Sequence, residues 1–267
     1  MLAYTNISNL ALARRKPVKG APPAIDRGKV RVIAERRHFS LIIYAVPSER
    51  VRALVPASLE VEETIVEGSA MAWVSIESFL DQSAAGHTAF EQTNYRLHVL
   101  RDGQPCHWLL GASLGSLAAV GARNLWPMPW HLSAMEFRVA YDKSKGRYRE
   151  YNLQAQSQWA NANWRIEDTG EWISLGKIKA LPASLQNPSV TCHFQRRDGV
   201  EGRQRMRLLN PAFTRGRVKS AQCDLLIRLG LLNRNQVERP WLVALQHNLS
   251  CQFDAPALTN TRFFQAA

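Results

Sequence analysis

Short stretches that alternate apolar and polar residues, separated by polar turns, constrain the fold of this chain more than any other feature. Residues 38–46 form a β-rich apolar run, and residues 71–79 alternate so that Trp73, Glu77 and Phe79 share one face. The pattern contains no regular strand–helix–strand alternation and no internal repeat. It therefore predicts one mostly β domain, either a barrel or a strongly bent sheet, with two or three short helices.

The turn signals place the remaining elements. Asp102-Gly103 predicts a hairpin between strands at 94–100 and 107–110, because Asp-Gly suits a turn that needs positive φ. Further strands are predicted at 59–62, 134–141, 148–156, 157–166, 171–173, 190–196 and 240–253. Short helices are predicted at 48–55, 116–124 and 225–232.

The positive charge of the chain is concentrated in two segments. The formal net charge is +12, but residues 1–38 and 196–219 together account for all of it, and the rest is close to neutral. We interpret residues 1–28 as a flexible basic arm and residues 29–267 as a single domain. Because residues 196–219 contain few aromatic residues, we expect a solvated loop or an oligomer contact there rather than nucleic-acid binding.

Cysteine and histidine spacing favours no metal site and no cofactor. The four cysteines form no C-x-x-C pair, and each is flanked by core-like sequence, so we expect buried free thiols. No apolar run approaches the roughly 18–20 residues of a membrane helix. We therefore expect a cytoplasmic protein with no membrane partner.

Residues 111–132, GASLGSLAAVGARNLWPMPWHL, hold the most informative loop. Pro127 and Pro129 exclude a helix at the end of this stretch, since each lacks an N–H and fixes φ. The result is a rigid, aromatic-lined turn, and such turns often carry binding or catalytic groups. Its candidate ligand-facing side chains are Arg123, Trp126, Trp130 and His131.

Two stretches resemble the acetoacetate decarboxylase superfamily. Residues 36–62, RRHFSLIIYAVPSERVRALVPASLEVE, resemble its opening strand and helix, and residues 118–132, AAVGARNLWPMPWHL, resemble the segment that carries its catalytic lysine pair. Residues 225–257 are similar to the closing part of its YqjF-like branch, whose function is not established. The resemblance implies an α+β, mostly β fold: a cone-shaped, largely antiparallel β-barrel with a ligand cavity, in a protein that is often a homo-oligomer.

The resemblance also suggests roles for individual residues. Arg37 falls on the substrate-binding arginine of the family, and Glu91 falls within one gap of its active-site glutamate. Pro129 matches the proline that precedes the two catalytic lysines, but Trp130 and His131 occupy the lysine positions. Neither side chain can form an imine, so decarboxylation through a Schiff base is excluded at these positions.

Several polar residues remain as candidates for a site without a Schiff base. Arg37 would hold a carboxylate, as the geometry of a guanidinium allows, while Glu91 and His131 would act as acid and base. Asn94 and Arg96 share one face of their strand and would point either into the cavity or into water. Arg123 would either hold an anion or neutralise the end of a helix.

A different reading is offered by Gly111-Ala112-Ser113-Leu114-Gly115, which matches the G-x-S-x-G motif of serine hydrolases. Ser113 would attack the substrate, with His247 as a possible partner. The leading hypothesis is an acetoacetate decarboxylase-like barrel that binds a small organic acid or carbonyl compound, with lyase- or isomerase-type acid/base chemistry. The alternative is a ligand-binding module without catalysis.

Overall fold

The fold was analysed in a computed structural model, which describes residues 30–83, 89–117, 128–196 and 198–255. Strands dominate these residues, as the alternating sequence predicts. The strands are β1 (Val30–Pro47), β2 (Glu60–Val61), β3 (Thr64–Val66), β4 (Ser69–Ser83), β5 (Phe90–Arg101), β6 (Gln104–Leu114), β7 (Trp130–Leu132), β8 (Ala134–Asp142), β9 (Arg147–Gln156), β10 (Ala162–Ile173), β11 (Ser189–Gln195), β12 (Glu201–Leu208), β13 (Phe213–Cys223) and β14 (Leu242–Ala255). The helices are α1 (Ser48–Arg52), α2 (Ala183–Gln186), α3 (Asp224–Arg228) and α4 (Arg234–Val237).

Seven strands close into a barrel in the order β1, β4, β5, β6, β11, β12 and β14, with β14 pairing back onto β1. The neighbouring strands are antiparallel except β6 and β11, which are parallel. A closed barrel leaves no free sheet edge among its strands, so each of them is paired on both sides. The mostly antiparallel barrel that the family resemblance implied is confirmed.

The strands β13, β10, β9 and β8 extend the sheet beyond β14 and form a second layer, which we call the wing. The inner side of the wing packs on the outer face of the barrel and encloses the larger apolar core. Its largest fully buried side chains include Tyr44, Ile76, Tyr95, Leu97, Tyr151 and Trp164. The period-2 alternation of each strand therefore separates this core from the barrel interior.

The barrel interior is filled by the other face of the same strands. Phe39, Leu41 and Ile43 of β1 point inward, and Trp73 and Phe79 of β4 meet them. The face predicted for residues 71–79 is thus confirmed as the inward one, and it includes Glu77, which is 5% exposed. A carboxylate that is buried among aromatic side chains needs a charged partner.

A β-bulge in β1 decides which residues point inward near its start. His38 has a φ of 53°, and the register between β1 and β4 shifts between Arg37 and Ser40. Because a bulge adds one residue to a strand, it reverses the inward and outward positions on its far side. Arg36, rather than Arg37, is therefore on the same side of the sheet as Phe39.

The main error of the sequence interpretation concerns residues 196–219, which hold β12 and most of β13 instead of a solvated loop. Exposed basic residues alternate with buried or half-buried ones in both strands. Because so many residues of the segment are charged, the sequence did not show this alternation.

The bounds of other predicted elements also differ. Residues 157–161 precede β10 rather than belong to it, and the helix predicted at 225–232 is the shorter α3. The helix predicted at 116–124 lies almost entirely outside the described residues.

Two further expectations concern cysteines and membrane spans. The four cysteines are free and buried, as predicted. Within the described ranges, no helix is long and apolar enough to cross a bilayer. Residues 1–29 lie outside the described part of the chain, so the basic arm stays a prediction.

Candidate binding site in the barrel interior

Three buried charged residues meet inside the barrel and form what we call the interior charge cluster: Arg36, Glu77 and Arg96. Arg96 donates a hydrogen bond to one carboxylate oxygen of Glu77, and Nη1 of Arg36 lies 3.6 Å from the other oxygen. Each of the three residues is at most 5% exposed. Two guanidinium groups thus share one carboxylate in a place that water reaches poorly.

Apolar groups hold Arg36 in place. Its guanidinium carbon lies 3.9 Å above the ring of Phe79 and 5.1 Å from the ring of Phe253. Its Nη1 also donates to the sulfur of Met206 at 3.4 Å. A thioether is a weak acceptor and an aromatic face is a weak counter-charge, so these contacts orient the arginine without fully satisfying it.

The two arginines of the interior charge cluster each have an N–H group that makes no hydrogen bond in the described ranges. The Nε atoms of Arg36 and Arg96 are buried and have no hydrogen-bond partner in the described ranges. Burial raises the pKa of Asp81, the register partner of Arg36 on β4, although the charge of Arg36 opposes the rise. Oε2 of Glu77 is likewise buried without a hydrogen bond in these ranges, and because buried N–H groups normally find an acceptor, the two arginine donors are the groups that an added acceptor would satisfy.

A chain of polar side chains leads from the interior towards α2. The ring nitrogens of His98 lie 3.0 Å from the Ser75 hydroxyl and 2.8 Å from the Ser184 hydroxyl, which donates to Glu62 at 2.6 Å. Burial, aided by the charge of Arg96, lowers the pKa of His98 to about 3. His98 is therefore a neutral, hydrogen-bonded histidine at ordinary pH.

An apolar wall stands beside the charged groups. Trp130 packs with Leu109, Met128, Cys192 and Phe194. Leu109 of this wall is the register partner of Arg96, so the wall lies beside the interior charge cluster, and burial raises the pKa of the Cys192 thiol there. A site with two cations and an apolar wall suits a ligand that has a negative end and a short carbon skeleton.

The structure brings some of the predicted site residues together. Asn94 and Arg96 point into the barrel, which decides between the two faces that the sequence left open. Asn94 accepts a hydrogen bond of 2.6 Å from Gln92. Trp130 belongs to the apolar wall, and its role as a ligand-facing residue stays a prediction.

Arg37 does not lie at this site. It is exposed, on the side of the sheet that faces away from the interior, because the bulge at His38 reverses the alternation of β1. Its charge acts instead on His38, whose pKa falls to about 4 through burial, the nearby His247 and Arg37. The expectation that Arg37 faces the cavity is wrong, and its neighbour Arg36 occupies that position.

Glu91 and His131 are also outside the interior charge cluster. Glu91 is on the face of β5 opposite Asn94 and lies against the backbone of Gly115, where an added Cβ would be 2.5 Å from its Oε2. His131 follows Trp130 in β7 and stacks on Trp159, with ring centroids 4.2 Å apart and an interplanar angle of 6°. The pairing registers put Glu91 and His131 on the same face of the sheet, with Ser113 of β6 beside His131, and this is not the face of the interior charge cluster. Glu77 could have been found from the sequence, since it shares a face with Trp73 and Phe79.

The remaining four candidates are Arg123, Trp126, Ser113 and His247. Arg123 and Trp126 lie outside the described residues. Ser113 is buried within β6, paired on both sides, whereas a nucleophile elbow needs an exposed serine at a sharp turn. His247, its suggested partner, stacks on Tyr141 instead. In the described ranges, no group of three or more histidine, cysteine or acidic residues is arranged to hold a metal ion.

The comparisons with known proteins agree with this architecture. The chain is similar to an acetoacetate decarboxylase-like enzyme from Sphingomonas wittichii RW1, with 9% identity, 90% of this chain and 96% of that chain covered, and a TM-score of 0.54. It is also similar to acetoacetate decarboxylase from Legionella pneumophila, with 13% identity, coverage of 88% and 89%, and a TM-score of 0.52. At such low identity, these structures show the fold alone.

Sequence comparison is more specific. A search of curated proteins found no match. A family model named DUF2071, described as an uncharacterized conserved protein, matches residues 34–183, which is more than half of the chain. The protein therefore belongs to the DUF2071 family and has the fold of the acetoacetate decarboxylase-like superfamily.

Proposed function

We propose that the protein binds a small organic anion, a short carboxylate with or without a neighbouring carbonyl, at the interior charge cluster. The observation that carries this proposal is that Arg36 and Arg96 share the single carboxylate of Glu77, while the Nε–H of each arginine is buried without an acceptor among the described residues. A carboxylate ligand offers two acceptor oxygens in the geometry that guanidinium groups prefer.

Charge balance supports an anion rather than a neutral ligand. Arginine stays protonated in proteins, so Arg36 and Arg96 contribute two positive charges. Glu77 provides one negative charge, and burial opposes ionisation of Asp81. Bringing a ligand carboxylate into this place reduces the cost of burying the second cation, because a buried charge is expensive unless it is paired.

The same geometry argues against covalent catalysis by an amine. By the sequence resemblance, Trp130 and His131 occupy the two positions of the acetoacetate decarboxylase lysine pair, and His131 stacks on Trp159. Every lysine in the described ranges is exposed, so none of them reaches the interior charge cluster. A reaction at this site would use proton transfer, with Glu77 rather than Glu91 as the carboxylate in position. The alternative is a binding module with no reaction.

A ligand panel tests the proposal. Acetate, pyruvate and acetoacetate are compared with acetone, each at the same ionic strength, for their effect on the thermal unfolding midpoint. Ligands that bind the native state raise the midpoint, so the three carboxylates should raise it and acetone should not. Equal effects of acetone and pyruvate, or no effect of any compound, would contradict an anion site.

Turnover is measured on the compounds that bind. Nuclear magnetic resonance in deuterated water follows both loss of the substrate and exchange of the protons beside its carbonyl. Exchange would favour the proton-transfer reaction, and binding without exchange would favour the binding module. Treatment with borohydride in the presence of a ketone should leave no covalent adduct. The homo-oligomeric state and the cytoplasmic location inferred from the sequence stay predictions.

A further inference from the structure

We propose that the outer face of β12 binds the phosphate backbone of double-stranded nucleic acid through a row of three arginines: Arg203, Arg205 and Arg207. This site is separate from the barrel interior, and the inference does not depend on the proposed function. It rests on the exposure, pairing and spacing of these side chains.

The strand geometry places the three guanidinium groups on one side. Arg203, Arg205 and Arg207 are exposed, whereas Met206 between two of them is buried inside the barrel. Residues two apart on a strand share a face. The barrel therefore presents the three arginines outward as one row, which the sequence interpretation of this segment as a loop did not reveal.

The arginine row differs from the basic residues of the neighbouring segment because it lacks acidic partners. On β13, Arg215 is 2.9 Å from Glu171, and Lys219 is 2.6 Å from Glu167. None of the three arginines of the row forms a salt bridge within the described residues; Arg205 contacts only the Ser189 hydroxyl, at 3.3 Å. The positive charge of β12 is thus available to an outside partner, whereas much of that on β13 is already neutralised.

The surroundings of the row are polar and small. Ser189 and Thr191 of β11 stand opposite Arg207 and Arg205 in the register, and Gln252 of β14 stands on the other side of Arg207. Hydroxyl and amide groups of this kind commonly contact phosphate oxygens beside arginine. Asp254 lines the same shallow groove as Arg205 and Arg207 and is the one acid there, so the row keeps a net positive charge.

The row suits the regularly spaced charges of a phosphate backbone. Alternate residues of a strand lie about 6.7 Å apart, so the three guanidinium groups can each meet a different phosphate along one strand of a duplex. The row contains no aromatic residue on which an unpaired base could stack, which single-stranded sites normally provide. Contacts to phosphates alone carry no base information, so binding should be independent of sequence.

The test compares two triple variants that remove the same charge. The first is Arg203→Gln, Arg205→Gln and Arg207→Gln in the row, and the second is Arg215→Gln, Arg217→Gln and Lys219→Gln on β13. Binding of the full-length chain to a labelled 20-base-pair DNA duplex is followed by fluorescence anisotropy at several salt concentrations. Circular dichroism and thermal unfolding check that both variants fold.

Loss of three phosphate contacts should reduce the slope of log affinity against log salt by about 2.7, since each contact contributes about 0.9. We expect the row variant to show this change and at least a tenfold weaker affinity near physiological salt, while the β13 variant changes the affinity less than threefold. Equal losses in the two variants would overturn the proposal, as would no duplex binding by the unmodified chain. Competition by polyglutamate as strong as that by duplex, at equal charge, would show an acidic-protein surface instead and would also overturn it.

Discussion

Replacing Glu77 by glutamine tests the electrostatics of the barrel interior most severely. The change removes the one carboxylate that Arg36 and Arg96 share and keeps the shape of the side chain. At 3.6 Å and an effective dielectric constant near 20, the attraction between Arg36 and Glu77 alone is about 4–5 kcal/mol before desolvation. Removing one partner of a buried ion pair typically costs about 3–5 kcal/mol.

We therefore expect Glu77→Gln to lower the free energy of unfolding by about 3–5 kcal/mol, a large part of the roughly 5–15 kcal/mol available to a domain. Urea unfolding followed by tryptophan fluorescence measures this change. Glu136→Gln is the matched control, because Glu136 pairs with Arg138 at 2.7 Å on the surface, where water screens the pair and it contributes little. If the two variants lose the same small amount, Glu77 does not balance buried positive charge.

The structure predicts three further outcomes. Burial lowers the pKa of His98 to about 3, whereas in the unfolded chain the pKa of a histidine is about 6.5, so between these values the unfolded chain binds a proton that the folded chain does not. The free energy of unfolding should therefore fall from pH 7 to pH 5, by up to about 2 kcal/mol from this group. In His98→Gln this loss should be smaller. Gly216→Ala places a Cβ 2.6 Å from a methyl of Val243 and 2.8 Å from Ile166, so urea unfolding should show a free energy of unfolding lower by about 1–3 kcal/mol. Gly176→Ala is the control, because the nearest atom to its added Cβ is 3.5 Å away and the change should be close to neutral. His131→Phe should keep the stacking on Trp159 and therefore retain both stability and carboxylate binding; loss of binding, measured by calorimetry, would restore His131 to the site.

The sequence predicted the fold because local alternation and turn chemistry agree with the barrel. Asp102-Gly103 turns between β5 and β6 with both residues at positive φ, as the dipeptide predicts. The shared face of Trp73, Glu77 and Phe79 is the inward face of β4. Where charged and buried residues alternate, as in β12, the segment looks like a loop, and only pairing with β11 and β14 shows that it is a strand.

The candidate site was predicted less well because it depends on a register change. A regular β1 would put Arg37 inside, in line with Phe39, and the bulge at His38 puts Arg36 there instead. A histidine between two strand segments does not predict a positive φ. Such a backbone conformation costs free energy and persists only where the surrounding structure supports it. The position of Glu91 has a related cause. Glu91 lies an odd number of residues from Asn94 and Arg96, so it is on the outward face of β5 while they are on the inward face.

In our proposal Arg36, and not its neighbour Arg37, binds a carboxylate inside the barrel. Arg36→Met removes one cation while Glu77 keeps its hydrogen bond to Arg96, and Arg37→Met is the matched control on the outside. Isothermal titration calorimetry with pyruvate, acetoacetate and acetate at fixed ionic strength measures binding to the wild type and both variants. We predict binding to the wild type, an affinity at least tenfold lower in Arg36→Met, and an unchanged affinity in Arg37→Met. Loss of affinity in Arg37→Met with Arg36→Met unaffected, or no binding of any carboxylate to the wild type, would contradict the account.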